Sequence, residues 1–404
     1  MITDDRIILG LLGVVLALVF ATRDRPGWQK FYTFVPIILV CYLVPSLMVT
    51  FGLIDVTESN LWTVAKDFFL PAALFLMTLS IDLKGILGLG SKAIIMFLTA
   101  TLGIVLGGPV ALFIVAQFDP SIIGAGDNAA WRGLATLAGS WIGGGANQTA
   151  MLEVYGYNIE RYSALIAVDI IVANIWMIFL LYGAGASEKV DRWLGADSSA
   201  IDALRDKMAD YTSSVERVAK ANDYVLLLGV TLAVVGLCHL VGNALGGFFA
   251  ELQGEDATLA SGFFWVVVIA TTFGLLASFT RARELEGVGA SKFGTLFIFL
   301  LVAIIGTKMD VTQLGEAPGF MAVGLIWMVF HVILLLAVAK LIKAPFFFVA
   351  VGSKANVGGA ASAPVVAAAF HPALAPVGVL LAVLGYALGT YGAILCAQMM
   401  AAVG

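Results

Sequence analysis

Apolar stretches of bilayer-spanning length recur ten times along the chain, at residues 6–22, 33–54, 66–82, 93–117, 163–186, 224–247, 263–280, 292–309, 319–340 and 374–400. Each predicts a membrane-crossing helix. Two further apolar stretches, 131–156 and 345–370, are broken by glycine and amide side chains: Gly139-Ser-Trp-Ile-Gly-Gly-Gly-Ala-Asn-Gln148 and Gly352-Ser-Lys-Ala-Asn-Val-Gly-Gly-Ala-Ala361. The two breaks hold corresponding places in the two halves of the chain, a pattern that predicts the binding site of a transporter.

Either break is compatible with a broken crossing helix or with a re-entrant hairpin that turns near the bilayer midplane. Charge decides between them. Sixteen of the 22 basic residues fall in five segments: Arg23/Arg25/Lys30, Lys84/Lys92, the 187–222 linker, Arg281/Arg283/Lys292 and Lys340/Lys343. If both stretches are hairpins, all five segments face the cytoplasm, as short basic loops do. If both cross, the linker falls on the other side. The linker is also acid-rich, which softens its vote. The expectation is therefore an all-α polytopic membrane protein built from two inverted repeats. Each repeat has about five transmembrane helices plus one glycine-rich re-entrant or broken helix. The domain boundaries are 1–186, a helical cytoplasmic linker at 187–222, and 223–404. Ser80-Ile-Asp82-Leu against Lys308-Met-Asp310-Val, and Gly139-Ser140 against Gly352-Ser353, give the repeat weak support. Chance identity among small residues competes with it.

Composition agrees with a membrane setting: 61% of residues are hydrophobic, 12% charged, and mean hydropathy is +1.00. Cys41, Cys238 and Cys396 lie in separate apolar runs without ligand spacing, so no disulfide framework is expected. The N-terminal segment lacks a basic region and a small-residue cleavage site, so residues 7–21 are expected to be retained as a helix. A net charge of −5 with scattered basic residues leaves no footprint for nucleic acid.

Gly139 to Asn147, Lys354-Ala-Asn-Val-Gly-Gly-Ala-Ala-Ser-Ala-Pro364 and Gly385-Tyr-Ala-Leu-Gly-Thr-Tyr391 resemble the signatures of the YjcL-like family of bacterial membrane proteins, a domain-of-unknown-function family. The resemblance covers nearly the whole chain. That family is similar to the inverted-repeat carriers: sodium/proton antiporters, bile-acid sodium symporters, glutamate–sodium symporters and 2-hydroxycarboxylate transporters. The resemblance implies a mobile core domain carrying both breaks, a scaffold domain that forms a homodimer, and residence in the bacterial cytoplasmic (inner) membrane. It does not name a substrate.

A glycine-rich break frees backbone groups that must find partners, and an ion or polar solute can be that partner. The candidate substrate-binding set is Ser140, Trp141, Gly143, Gly144, Gly145, Asn147, Gln148, Thr149, Lys354, Asn356, Gly358, Gly359 and Ser362, with Ser353 as a further neutral oxygen. Close helix packing by small residues is the competing reading. Asp169, well inside the 163–186 span, is the strongest coupling candidate, because a carboxylate at that depth needs a cation, a proton path or a partner. Asn174, Asn147 and Asn356 join it as ion-coupling candidates, and a Na⁺ site is expected among Asn147, Thr149, Asp169 and Asn356. A purely structural tie from Asp169 to Asn174 or a Ser/Thr competes. Lys354 is expected to balance a substrate carboxylate, or to snorkel. Trp141 either stacks on a solute or wedges two helices. His331 reads as a packed, hydrogen-bonded histidine before a proton relay. His239, His371, Lys308, Asp310 and Asp82 read as interfacial.

No Asp-Asp pair occurs in a span and no P-loop is present, which weighs against an electrogenic antiporter of the Asp-Asp kind and against ATP-driven pumping. No nucleophile–base pair or histidine/carboxylate cluster is apparent, so no enzyme and no cofactor beyond a coupling Na⁺ is expected. The expected function is secondary active transport of a small organic solute, anionic by the charge of Lys354, coupled to Na⁺ or H⁺. An uncoupled facilitator, channel or exporter is the alternative, and a membrane-embedded enzyme a weaker one.

Overall fold

The computed structural model describes all residues except 24, 29, 30, 33, 34, 36, 197–200, 202, 203, 205–219, 256, 309–317, 372, 373 and 404. Most of the expected linker helix from Asp197 to Lys207, and Asp310, therefore lie outside the described residues. Within them the chain is helical, with one isolated bridge between Ile2 and Ile54. Helices α1 (Asp5–Arg23), α2 (Ile37–Thr50), α3 (Leu61–Leu79), α4 (Ser91–Phe118), α5 (Ala130–Tyr155), α6 (Tyr162–Gly185) and the short α7 (Ser187–Leu194) form the first half. The second half holds α8 (Ala221–Gln253), α9 (Gly262–Ser278), α10 (Ala290–Gly306), α11 (Pro318–Ile342), α12 (Phe346–Asn356), α13 (Gly359–Phe370) and α14 (Ala375–Ala401).

Each of the ten expected spans is a helix, but among the described residues only seven of the helices, α1, α3, α4, α6, α8, α11 and α14, are long and apolar enough to cross a membrane. The other three are shorter for local reasons. The expected 33–54 span ends at Thr50 because the chain turns at Gly52 (φ 69°) and the Leu53 carbonyl accepts from Ile2 N–H at 2.9 Å. The expected 263–280 span stops at Ser278, where Thr280 Oγ1 accepts from Ala282 N–H and starts the segment Arg281–Val288 at a 96° bend. α10 begins only after Gly289 (φ 100°) and runs for 17 residues.

Both glycine-rich stretches fold back on themselves. A straight 26-residue helix would reach about 39 Å. The two ends of α5 instead meet: Arg132 Nη1 donates to the Tyr155 carbonyl at 2.5 Å, and the Trp131 and Tyr155 rings pack edge-to-face at 5.2 Å. The reversal occurs at Gly144, whose φ of 73° and ψ of −169° suit only glycine. In the second stretch, Phe370 at the end of α13 packs on Phe346 and Phe347 at the start of α12, with ring centroids 6.1 and 5.3 Å apart. The turn there is at Gly358 (φ 125°).

The hairpins are rooted at opposite ends of the molecule. Lys92, at the start of α4, donates to the Lys343 carbonyl (2.8 Å), and Phe346 N–H donates to Asp191 of α7 (2.7 Å), so the second hairpin starts where α4 begins and α6 ends. The first hairpin lies between the far end of α4 and the start of α6, where Asn158 N–H donates to the Asp127 carbonyl (3.0 Å). Asp82 is not an exposed anchor. It is buried, its carboxylate caps Leu83–Leu87 by accepting from Gly85 N–H (2.9 Å), and it pairs with Arg283 at 2.6 Å.

α14 is the central element, packed against α4, α5, α9, α12 and α13. It can run between the two hairpins because its inner face is mostly small residues, among them Gly378, Gly385, Gly389 and Ala393, all buried.

Candidate functional site

The two tips converge on α14. A Cβ on Gly385 would sit 2.7 Å from the Ile142 carbonyl and 3.4 Å from the Ala355 carbonyl, the last turns of the two inbound arms. Each tip is then fixed by an asparagine with the same three bonds. Asn147 Nδ2 donates to the Gly143 carbonyl four residues back (3.0 Å) and to the Tyr386 carbonyl of α14 (3.1 Å), while Thr390 Oγ1, one turn further, donates to Asn147 Oδ1 (2.6 Å). Asn356 Nδ2 donates to the Gly352 carbonyl four residues back (3.0 Å) and to the Phe97 carbonyl of α4 (3.3 Å), while Thr101 Oγ1, one turn further, donates to Asn356 Oδ1 (2.8 Å). Asn147 follows its turn and Asn356 precedes its own, so the two locks are chemically alike without occupying the same arm.

Asp169 joins α6 to the first hairpin. Its Oδ2 accepts from Ser140 Oγ (2.6 Å) and Gln148 Nε2 (3.2 Å), and its Oδ1 from Trp141 Nε1 (2.8 Å). One donor pair lies on the inbound arm and one donor on the outbound arm, so the carboxylate clamps the hairpin closed. Trp141 is fully buried and meets Trp327 edge-to-face at 5.2 Å, so it wedges helices and offers no face to a solute. Asn174 is turned away: its Nδ2 donates to its own helix at the Ile170 carbonyl (2.8 Å).

Lys354 does not snorkel. It is 2% exposed, and its Nζ donates to the Ala173 carbonyl (3.0 Å), one turn along α6 from Asp169, which it feels electrostatically. A Cβ on Gly358 would collide with Ser362 Oγ and with the end of Lys354, so the ammonium and that hydroxyl flank the turn. Ser362 Oγ is buried without a hydrogen-bond partner, and the first turn of α13 has no side-chain cap. Ser353, by contrast, is structural. Its Oγ accepts from Trp176 Nε1 (2.8 Å), which can only donate, and lies 2.8 Å from His331 Nε2. His331 is thereby a packed, hydrogen-bonded residue.

A cavity of about 1240 Å³ opens at the end where the second hairpin is rooted. Its mouth carries Lys84, Arg281, Arg283 and Glu284, and its depth reaches Ala360, beside the second tip, and Tyr386, whose ring edge stands 3.7 Å from where a Cβ on Gly144 would lie. The cavity thus borders the second tip at Ala360 and is lined by the ring that abuts the first turn. Among the candidates, the structure groups Ser140, Trp141, Gln148 and Asp169, and separately Lys354, Gly358 and Ser362. Both asparagine amides are engaged in the tip locks. Tyr386, Thr390 and Thr101 escaped the sequence reading; Tyr386 and Thr390 stand in the Gly385–Tyr391 motif, but only the α14–hairpin contact gives them a role.

Against known proteins, the chain is 25% identical over 399 residues to the uncharacterized membrane protein YjcL of Bacillus subtilis (strain 168), an alignment covering 96% of this chain and 95% of the relative. The family profile described as "Protein of unknown function (DUF819)" matches residues 10–403. With that match running almost end to end, the chain belongs to the DUF819 family of membrane proteins.

Proposed function

We propose that this protein is a secondary transporter that moves a small organic anion across the cytoplasmic membrane of a bacterium by alternating access, coupled to Na⁺ or H⁺. The observation that carries the reading is the meeting of two oppositely rooted hairpin tips on Gly385 of α14, with a buried carboxylate on one side and a buried ammonium on the other. In lipid-depth protein, backbone turns of this kind persist where they line a cavity or bind a solute. The opposite roots fit two inverted repeats, 1–186 and 223–404, with the hairpins in a moving core, the outer helices as scaffold, and a homodimer through that scaffold.

The anion clause rests on the second tip. Lys354 supplies a positive charge, Ser362 an unsatisfied hydroxyl, and the uncapped start of α13 the positive end of a helix dipole, all at the tip that the cavity borders. A carboxylate-bearing solute matches those three groups. Asp169, the one carboxylate between α6 and the first tip, is the group for the coupling ion. The carboxylate and ammonium of the protein cancel when the site is empty, and a cation and an anion carried together keep the sum at zero, whereas either passenger alone leaves one net charge.

The test is uptake into proteoliposomes of a panel of mono- and dicarboxylates, amino acids and small peptides, with imposed Na⁺ or pH gradients. The expected result is accumulation of a carboxylate above equilibrium only with a gradient present. Equilibration at the same rate with and without gradients would instead show an uncoupled facilitator.

A further inference from the structure

The cavity that borders the second tip has two unlike walls. One is a stripe of α14: Pro376, Val379, Leu380, Val383 and Tyr386 recur at three- and four-residue spacing, so a single helix face lines the space as far as the ring beside the first turn. Val379 is 42% exposed, while Leu380 and Val383 are buried behind it. The facing wall is polar, built from the ends of α3 and α9, the Arg281–Val288 segment and the start of α10. Its serine and threonine protons are already spent. Ser278, Thr280 and Thr295 donate to the carbonyls of Leu275 (2.6 Å), Ala277 (2.8 Å) and Ser291 (2.9 Å), and Ser80 and Ser291 donate to the Glu286 carboxylate (2.5 and 2.6 Å). Ser291 N–H gives Glu286 a third bond (2.8 Å), so the wall carries a carboxylate fixed by neutral donors. Arg283 pairs with Asp82 (2.6 Å), and Lys84 and Arg281 stand exposed at the mouth.

Building on the transport reading, we propose that the solute is a monocarboxylate with an uncharged, apolar body: its carboxylate meets Lys354, Ser362 and the start of α13, and its body lies along the Pro376–Tyr386 face of α14. A second carboxylate or a phosphate would turn toward a wall whose serine and threonine hydroxyls have no proton to give and whose fixed charge, at Glu286, has the same sign. An α-amino acid would set an ammonium one carbon from the carboxylate, against the ammonium of Lys354. An apolar body avoids both costs. It also removes from water its own surface and the α14 stripe, a gain of about fourfold in affinity for each methylene buried. Lys84 and Arg281, in solvent at the mouth, speed the arrival of anions in general and do not read the body.

The test compares acetate, 4-methylpentanoate, leucine and succinate on the detergent-purified full-length protein, at a pH well above the carboxylic acid range. Acetate is the head group alone, leucine adds an α-ammonium to the body of 4-methylpentanoate, and succinate carries a second carboxylate. Dissociation constants follow from the rise in melting temperature with concentration. The expected order places 4-methylpentanoate about tenfold or more tighter than each of the others. Val379→Ser, at a side chain that is 42% exposed and so spares the fold, should cut the advantage of 4-methylpentanoate over acetate by about threefold. Glu286→Gln should narrow the gap between succinate and 4-methylpentanoate, and if that variant does not fold, the Val379→Ser ratio decides. Succinate, leucine or acetate binding as tightly as 4-methylpentanoate, or an unchanged ratio in Val379→Ser, would each overturn the inference. Proteoliposomes separate it from the transport reading. If 4-methylpentanoate binds in the expected order yet enters no faster than into protein-free vesicles under any gradient, the transport reading falls and the specificity stands. Gradient-driven accumulation of succinate or leucine in preference to 4-methylpentanoate would do the reverse.

Discussion

The two hairpins share a plan and differ in what they hold. The first is closed around a carboxylate: Ser140, Trp141 and Gln148 all donate to Asp169, and its turn at Gly144 meets only the ring edge of Tyr386. The second is arranged around an ammonium with one bond, to Ala173, next to an unsatisfied Ser362 hydroxyl and an exposed Gly358 that the cavity approaches. One tip is internally saturated and the other keeps its polar groups free. The difference teaches that symmetry of backbone does not require symmetry of chemistry: a satisfied tip suits an ion that locks it, and an unsatisfied tip suits a solute that completes it.

The largest effect should come from breaking the saturated side. Asp169→Ala leaves three buried donors and the Lys354 ammonium without their carboxylate, and removal of one partner from a buried charged pair costs about 3–5 kcal/mol. A melting temperature lower by many degrees, together with loss of gradient-driven uptake, is expected, and Asp169→Asn should fall between Ala and the parent. An Asp169→Ala protein as stable as the parent would dissolve the contrast between the hairpins. Next is Gly144→Ala. The new methyl has space, yet the backbone there is open only to glycine, so roughly 1–3 kcal/mol of strain is expected from conformation alone. Gly358→Ala adds a collision with Ser362 and Lys354 to its strain and should weaken solute binding as well, so the two alanines separate strain from site damage.

Much of this was legible before the fold was in view. Ten apolar runs gave ten helices because spanning length and hydropathy are local properties. The two glycine-rich breaks, Asp169 and Lys354 stood out because polar groups are rare in apolar context. What the sequence does not carry is the direction in which a side chain points. Asn147 and Asn356 lie beside the glycines in sequence and were natural ion ligands, but their amides close tip locks with Tyr386, Thr390, Phe97 and Thr101, partners more than 230 residues away in one case and 255 in the other. Tyr42 and Tyr162 are unremarkable aromatics in apolar runs, and only tertiary packing shows that their side chains are fully buried. Asp82 read as interfacial because it ends a span, whereas its partner Arg283 belongs to the other half of the chain.

On the unsatisfied side, Lys354→Met should lower stability by less than Asp169→Ala does: it leaves the buried Asp169 carboxylate without its cation, but Ser140, Trp141 and Gln148 still donate to that carboxylate. Its larger effect belongs to the solute: loss of one charge-assisted contact weakens binding by about 1.5–3 kcal/mol, roughly ten- to 150-fold in affinity. Titration calorimetry with the transported carboxylate would read this, and unchanged affinity would remove the anion from the second tip. The tip locks come lower. Thr390→Val and Thr101→Val each delete one donor to an asparagine and should cost about 1 kcal/mol apiece. Thr390 also meets Thr271 Oγ1 at 2.9 Å, so its loss should be the greater by a few tenths of a kcal/mol. Equal losses would mean that the locks, unlike the charges they hold, are equivalent in the two hairpins.

The smallest effect on stability is expected at the cavity mouth. Arg283 pairs with Asp82 at 2.6 Å but keeps about a third of its side chain in solvent (35%), and such pairs contribute about 0–1 kcal/mol. Arg283→Gln should therefore leave the melting temperature within a degree or two, whereas the rate of solute entry should change and lose its dependence on salt, as rim charges steer arriving ions more than they hold them. Nearby, Ser80 donates to Glu286 at 2.5 Å, a second tie between the end of α3 and the Arg281–Val288 segment. If Arg283→Gln instead lowers the melting temperature as far as Gly144→Ala does, the mouth belongs to the rigid core. The cavity would then be a fixed funnel serving the second hairpin, and motion between the two access states would have to come from the first hairpin's root, where Lys66 and Glu153 stand 3.7 Å apart and are less well coupled.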